Sequence, residues 1–350
     1  MVSKPKALVA MSGGVDSSVA ACLILEQGYS CIGSTMLLCQ SPSDIADAEA
    51  VAAKLGIPFY SFDAREPFQR QVQEPFVCSY EKGDTPNPCI LCNRHIKFGY
   101  LLEKALELGC EYIVTGHYAR VRQDVTSSRW LLQKAADISK DQSYFLSTLT
   151  QEQLQHILFP LGELTKEQAR ELADQQQLVN ARKRDSQDIC FIPDGDYSVF
   201  LEDFTGKTYP AGDFLDLQGN VVGKHRGAVR YTLGQRKGLG IATGQPVYVC
   251  GKDMAANTVT VGPNDALYHR ELVASDWSWF PFPELTQPLK CMAKTRSRMT
   301  EQPAVAYPEE NGTVRVVFEE PQRAITPGQT VTLYDGDIVL GGGTIRFVGN

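Results

Sequence analysis

No run of about 18 apolar residues occurs in the 350-residue chain, which excludes a membrane-spanning helix and leaves no membrane partner expected. The opening stretch, MVSKPKALVA, has too short an apolar segment for a secretory signal and reads as the lead-in to a strand. There is no low-complexity tract and no internal repeat. The Lys-Ser/Thr ending of the NTPase phosphate loop is missing, and so is the glycine spacing of the dinucleotide fold. Only one Cys-x-x-C pair exists, Cys89 and Cys92. A structural zinc wants four ligands, commonly two such pairs, so the count argues against zinc. Acidic residues are absent from Leu217 to Lys252, where six bases stand: Lys224, Arg226, Arg230, Arg236, Lys237 and Lys252.

What is present is ordinary for a globular protein: 43% hydrophobic and 21% charged residues, enough chain for two or three domains with real cores. Net charge is −7, which in bulk argues against a nucleic-acid partner. Distribution matters more than the sum, and the acid-free stretch offers a basic surface. Ten cysteines occur. Without a signal segment they point to a reducing compartment, the cytoplasm, rather than to a disulfide framework. Cys22, Cys31, Cys110 and Cys250 sit in apolar runs and read as small buried hydrophobes. Cys89, Cys92 and Cys190 sit in polar, turn-like surroundings.

The first 120 residues alternate. KALVAM, CIGSTML, PFYSFD and EYIVTGH read as strands. Helices are expected at 17–28, 44–55, 66–82 and 93–108. That alternation implies an α/β fold with a parallel sheet covered on both faces, its ligand beyond the carboxyl ends of the strands. From 140 to 180 the pattern is helical, and Thr165 with Gln168 reads as a capping box. After about residue 196 glycines become frequent and helical periodicity fades. Asn-Gly and Asp-Gly turns in YPEENGTVRVVF and LYDGDIVLGGGTI mark hairpins. The expected domains are a catalytic unit over 1–195, a small β-rich unit over 196–272, and an antiparallel β-barrel over 273–350.

SGGVDSS follows the first strand directly. Gly13 and Gly14 let backbone N–H groups approach an anion, and the following helix points its positive end at the same place. Ser12, Ser17 and Ser18 add hydroxyl donors. Asp16 would repel phosphate unless it holds Mg²⁺ or caps the helix.

The full string SGGVDSS resembles the signature of the ATP pyrophosphatase (PP-loop) superfamily, with its adenine-nucleotide-hydrolase type of parallel-sheet domain. TPNPCILCNRHIKF (85–98), TGHYAR (115–120), KDQSYFL (140–146), SQDICFI (186–192), YTLGQRKGLGI (231–241), PGQ (327–329) and LGGGTI (340–345) narrow the match. Together they look like the tRNA-specific 2-thiouridylases, which place sulfur on C2 of the wobble uridine. The resemblance implies an ATP site over Ala10, Met11, Ser12, Gly13, Gly14, Val15, Asp16 and Ser17. It puts Met36 near the adenine and Gly116 at the closure of the pocket.

Exchanging a carbonyl oxygen for sulfur needs a leaving group on the oxygen and a sulfur nucleophile. Adenylation supplies the first; a cysteine persulfide can supply the second. The resemblance makes Cys190 the persulfide carrier and Cys92 its partner, closing a disulfide that cellular thiols reset. Where relatives often carry Asp, this chain has Cys89. That substitution leaves a second route open, an iron–sulfur cluster on Cys89, Cys92 and Cys190.

The resemblance also implies tRNA contacts by the anticodon arm. Asn87, Pro88, Cys89, His117, Lys140, Asp141 and Gln142 would lie near the target base, with Arg236 and Lys237 in the acid-free stretch. Arg296, Arg298 and Gln329 would belong to the barrel. A persulfide donor, a cysteine desulfurase or relay protein, is expected as partner. A PP-loop amidotransferase or ligase acting on a small molecule is the competing reading; it would need neither the acid-free stretch nor paired cysteines.

Overall fold

The computed structural model describes residues 4–39, 42–181, 183, 189–241 and 244–349. The Ser-Gln-Asp of SQDICFI (186–188) lies outside the described residues. No helix among the described residues is long and apolar enough to cross a membrane.

The first unit carries β1 (Lys6–Ala10), β2 (Ser30–Leu37), β3 (Phe59–Asp63), β4 (Tyr112–Val114), a hairpin of β5 (Arg120–Gln123) and β6 (Trp130–Gln133), and the two-residue β7 (Ile157–Leu158). Strands β3-β2-β1-β4-β7 form one parallel sheet in that order. Its centre reads as an unbroken apolar run because both faces are covered. Leu8 packs with Ile32, Ile96 and Phe98 on one side, while Ala7 and Val9 pack with Val19, Ile24 and Val51 on the other. Burying each such Leu, Ile or Phe contributes roughly 1.5–3 kcal/mol.

The expected helices are present, with shifted ends. The first spans Val15–Glu26, two residues early, because Gly14 is already extended and Val15 turns directly into the helix. The second spans Pro42–Leu55. The third and fourth each contain a wider π-type turn, over Gln69–Gln73 and Cys92–Tyr100. The stretch 140–180 breaks into Ser143–Leu146, Gln151–Leu154 and Lys166–Gln175, and β7 enters the sheet between the last two. A two-residue strand is too short to leave a periodicity. The capping box is present: Gln168 N donates to Thr165 Oγ1 at 3.2 Å, and Thr165 N to Gln168 Oε1 at 2.8 Å.

The second unit opens with a helix, Tyr197–Thr205, which the glycine-rich reading missed. Phe200, Leu201 and Phe204 pack it against Phe76, Val77 and Tyr80 of the first unit. Four strands follow: β8 (Gly212–Leu215), β9 (Val221–His225), β10 (Tyr248–Asp253) and β11 (Thr258–Gly262), ordered β10-β11-β8-β9.

The third unit is the expected antiparallel barrel: β12 (Tyr268–Trp279), β13 (Leu289–Lys294), β14 (Gln302–Pro308), β15 (Val314–Arg323), β16 (Thr330–Asp335) and β17 (Ile338–Gly349). It closes because β12 pairs with both β15 and β17. Asn311 (φ 59°) and Gly312 (φ 71°) make the β14–β15 turn, where both residues must adopt positive φ. The hairpin β5–β6 leaves its own sheet and joins β17 through Ile338 and Gln133.

Candidate active site

The strand order of the parallel sheet reverses at β1, whose neighbours are β2 and β4. The crevice at the carboxyl ends of β1 and β4 is therefore the topological switch point, where such sheets bind ligands. Ser12, Gly13 and Gly14 leave β1 into it; Thr115, Gly116 and His117 leave β4 into it. Gly13 has φ +73°, and a Cβ there would stand 2.3 Å from the Asp44 carbonyl oxygen. A Cβ on Gly116 would stand 2.7 Å from the Asp16 carbonyl carbon and the Ser17 nitrogen. Both glycines are required for close packing of the turn. Gly14 is extended (φ −93°, ψ 163°), and no side chain caps the helix, so its first N–H groups face the crevice.

The serines do not all face an anion. Ser17 Oγ and Ser18 Oγ each donate to the Gly14 carbonyl at 3.0 Å, and Ser18 accepts from Asn180 Nδ2 at 2.9 Å. They hold the turn; Ser12 remains exposed. Asn180 Nδ2 also donates to the Gly13 carbonyl at 3.0 Å. Asp16 neither caps the helix nor offers Mg²⁺ an uncommitted oxygen. Lys166 Nζ donates to both of its carboxylate oxygens at 2.8 Å, and Tyr118 OH to Oδ1 at 2.9 Å. The donor set does not fit a protein-held Mg²⁺ at Asp16. Ala10, Met11 and Val15 form the walls of the turn, Met11 and Val15 being buried. Met36 is buried on the underside of β2 among Leu8, Ile32 and Phe68.

The cysteines meet at the same edge of the sheet. Asn87 caps the short helix Pro88–Leu91 by accepting from Cys89 N at 3.2 Å, and Pro88 is buried at its start. This exposes Cys89 and puts Cys92 at the head of the π-type turn. Cys190 is exposed, and a thiol that the sequence reading passed over, Cys39, lies in hydrogen-bonding contact with it. That bond, followed by the nearby Lys97 ammonium, brings the Cys190 thiol down to about 7 against the cost of burial. Burial pushes Cys92 up to about 12, with Lys97 opposing, and neighbouring atoms around the sulfur desolvate and raise Cys89 as well, although that residue as a whole is exposed. Lys97 is thus the shared cation of the thiol set. It lies five residues past Cys92, and a regular helix would turn it elsewhere. Among the described residues no three His, Cys, Asp or Glu side chains converge as a metal-binding set, so the arrangement lends the Cys89/Cys92/Cys190 cluster no support.

Several residues expected at the RNA face also join segments of the fold. His117 is 8% exposed, bonded to Thr115 Oγ1 at 2.7 Å, and burial, then Lys97, holds it well below its usual range. Asp141 accepts from Ala135 N and Ser143 N at 3.1 Å each, and Gln142 accepts from Tyr118 N at 2.9 Å. Lys140 lies beside them, half-buried. Arg296 donates to the Ala324 carbonyl at 2.9 Å and the Leu233 carbonyl at 3.4 Å, tying barrel to second unit. Gln329 donates to the Thr85 carbonyl at 2.6 Å, and Thr85 N to the Pro327 carbonyl at 2.9 Å, so PGQ clasps the TPNPC loop. Arg236, Lys237 and Arg298 are exposed. Within the acid-free stretch, Lys224 pairs with Asp213 and Arg230 with Glu202, each at 2.6 Å, and Lys252 is buried enough to fall to about 8. Basic surface there comes from Arg226, Arg236 and Lys237, with the paired but exposed Lys224 beside them, rather than from all six residues.

Three family models match the chain: a tRNA methyl transferase HUP domain over residues 5–194, a tRNA methyl transferase PRC-barrel domain over 198–263, and an aminomethyltransferase β-barrel domain over 269–345. Among similar proteins, the tRNA-specific 2-thiouridylase MnmA of Acetivibrio thermocellus is 50% identical, the match covering 99% of this chain and 100% of that protein. The protein of that name from Symbiobacterium thermophilum is 49% identical, covering 97% of this chain and 92% of the relative. The one from Clostridioides difficile is 45% identical, covering 99% of each.

Proposed function

The chain belongs to the tRNA-specific 2-thiouridylase family, and from that premise we propose how its residues carry out ATP-dependent thiolation of tRNA. The transferred group named for two of the family models is methyl, whereas the full-length relatives transfer sulfur. The full-length identity outweighs the domain descriptions, and the thiol set at the sheet edge fits sulfur chemistry. ATP occupies the crevice at β1 and β4, its phosphates against Gly13, Gly14 and the open N-terminus of the helix Val15–Glu26. The α-phosphate is attacked by the C2 oxygen of the wobble uridine, and pyrophosphate leaves. The base must be unstacked to reach this edge. Cys190, carrying a sulfane sulfur delivered by a cysteine desulfurase or relay protein, attacks C2, and AMP leaves with the oxygen. A second thiol then frees the sulfur from Cys190; the family resemblance gives that part to Cys92.

The observation that supports this reading is an exposed Cys190, grouped with Cys89, Cys92 and Lys97, at the same sheet edge as the SGGVDSS turn. Nucleoside mass spectrometry of tRNA from cells lacking the protein tests it. Wobble 2-thiouridine derivatives should vanish and return with the wild-type chain. Their persistence at normal levels contradicts the reading.

Arg236 and Lys237 supply phosphate contacts to the anticodon arm. Replacing both with Gln is expected to lower the slope of log affinity against log salt by roughly one or two units. Filter binding across a salt series measures it. An unchanged slope means that these charges only face solvent.

A further inference from the structure

Adenylation needs two parts of the sheet edge in register: the turn against the phosphates, and the segment Lys140–Gln142, beside which the family resemblance puts the target base. They come from distant stretches of the chain, and Tyr118 is bonded to both. Tyr118 follows His117 out of β4 and is 3% exposed. Gln142 clamps its backbone: Tyr118 N donates to Gln142 Oε1 at 2.9 Å, and Gln142 N donates to the Tyr118 carbonyl at 2.9 Å. Its side chain reaches the turn, where the hydroxyl donates to Asp16 Oδ1 at 2.9 Å. The ring packs in one apolar cluster with Val15, Val19 and Val114. Phenylalanine would serve that packing as well, and Asp16 already holds two bonds from Lys166. The hydroxyl is needed for neither packing nor charge balance; what it adds is the link.

The other side of the segment is anchored too. Asp141 Oδ2 accepts from Ser143 Oγ at 2.8 Å, and that hydroxyl lies 3.4 Å from Tyr334 OH on β16. Tyr144 OH donates to the Thr330 carbonyl at 2.9 Å, and both tyrosines are buried. The base-side segment therefore stands on the barrel, and Tyr118 joins it to the phosphate turn.

We propose that Tyr118 is a positioning residue for adenylation: bonded to Gln142 through its backbone and to Asp16 through its hydroxyl, it sets the register between the target base and the α-phosphate of ATP. The proposal rests on the reading above, in which the C2 oxygen of the wobble uridine attacks that phosphate. In that step the C2 oxygen bonds to the α-phosphorus, and the bond from that phosphorus to the bridging oxygen breaks. The electron pair leaves with pyrophosphate, and N3 gives up its proton to solvent. Such a displacement loses about a hundredfold for a misplacement of about 1 Å. Tyr118 acts through Asp16 and Gln142 and need touch neither reactant.

Tyr118→Phe keeps the ring and both backbone bonds to Gln142 and removes the bond to Asp16. The full chain is given saturating ATP and tRNA, and pyrophosphate release in the first turnover is measured per chain that binds tRNA. The variant should be at least about tenfold slower than wild type, with its KM for ATP and Kd for tRNA within about twofold. Gln142→Ala cuts the other end of the link. In that background Tyr118→Phe should cost less than about twofold more, because one bridge cannot be broken twice. A wild-type rate for Tyr118→Phe overturns the proposal, as does a raised KM for ATP with the saturated rate unchanged, which would mean that Tyr118 only shapes the nucleotide site. A purely structural tyrosine lowers the thermal midpoint and leaves the rate per tRNA-binding chain unchanged, and that result also overturns it. So do losses that multiply in the double variant. In each of these cases the thiolation reading stands. A wild-type chain that releases orthophosphate instead of pyrophosphate overturns that reading, and the proposal with it.

Discussion

Cys190→Ala is expected to end sulfur transfer to tRNA, a loss on the order of ten-thousand-fold or more, as removal of an attacking nucleophile commonly costs. Adenylation should survive, because the side chains that shape the SGGVDSS turn are Asn180, Asp16, Lys166 and the glycines, not the thiol. The variant should therefore still release pyrophosphate from ATP when tRNA is added, while making no 2-thiouridine. Rapid quenching with nucleoside mass spectrometry checks both products. Thiolation by the variant at above a hundredth of the wild-type rate would mean that sulfur does not pass through Cys190. The pH profile of the wild type carries the same claim. The thiolate is the reactive form, and Cys190 is lowered to about 7. Its alkylation rate should then rise through pH 7, not near the ordinary thiol value of about 8.5. Cys39→Ala, which removes the hydrogen bond, and Lys97→Met, which removes the cation, should each move that midpoint upward.

Asp16→Ala should abolish turnover at the earlier step, with AMP formation falling at least about a thousandfold. The reason is the ion pair beneath the turn. The Lys166 side chain is only 10% exposed, and both its bonds to Asp16 are 2.8 Å. Removing the carboxylate leaves an ammonium nearly buried beside Gly116 and the start of the helix, and frees Tyr118 OH. Breaking a buried pair from one side costs several kcal/mol; with Asp16 partly exposed, a loss of about 2 kcal/mol in stability is expected. Thermal melting measures the stability, and pyrophosphate release the chemistry. Asp16→Asn keeps an acceptor for Tyr118 without the charge and should fall between wild type and Asp16→Ala in both. A folded Asp16→Ala chain with wild-type melting and turnover would show that the pair does not shape the turn.

The phosphate-binding turn was legible in the sequence because it is local. An apolar strand, two glycines and a helix start stand within ten residues, and the sheet puts that turn at its switch point. The supporting residues were not legible. Tyr118 lies 102 positions from Asp16, and Lys166 150 positions away. In the sequence, Lys166 is simply the first residue after a capping threonine. Cys39 was overlooked because it follows an apolar strand; the fold alone brings Leu38 and Phe191 onto one cluster. Lys97 was hidden by an irregularity, since a π-type turn over Cys92–Tyr100 has no periodicity that a 3.6-residue pattern detects. The barrel was readable from its Asn-Gly and Asp-Gly turns. The transfer of β5 and β6 to it was not, because a four-residue strand carries no mark of which sheet it joins. Asp141, Gln142, Arg296 and Gln329 look like RNA ligands by residue type. Each also bonds a backbone group elsewhere in the fold, and a sequence does not reveal those partners.

The most direct test of the account is the ratio of products in one reaction. Purified chain with loaded Cys190, a tRNA bearing the wobble uridine, and ATP labelled at the α-phosphate are incubated together. AMP is counted against 2-thiouridine by chromatography and mass spectrometry. The account predicts one AMP and one pyrophosphate for each 2-thiouridine formed. ADP with orthophosphate, or 2-thiouridine formed without AMP, would contradict it.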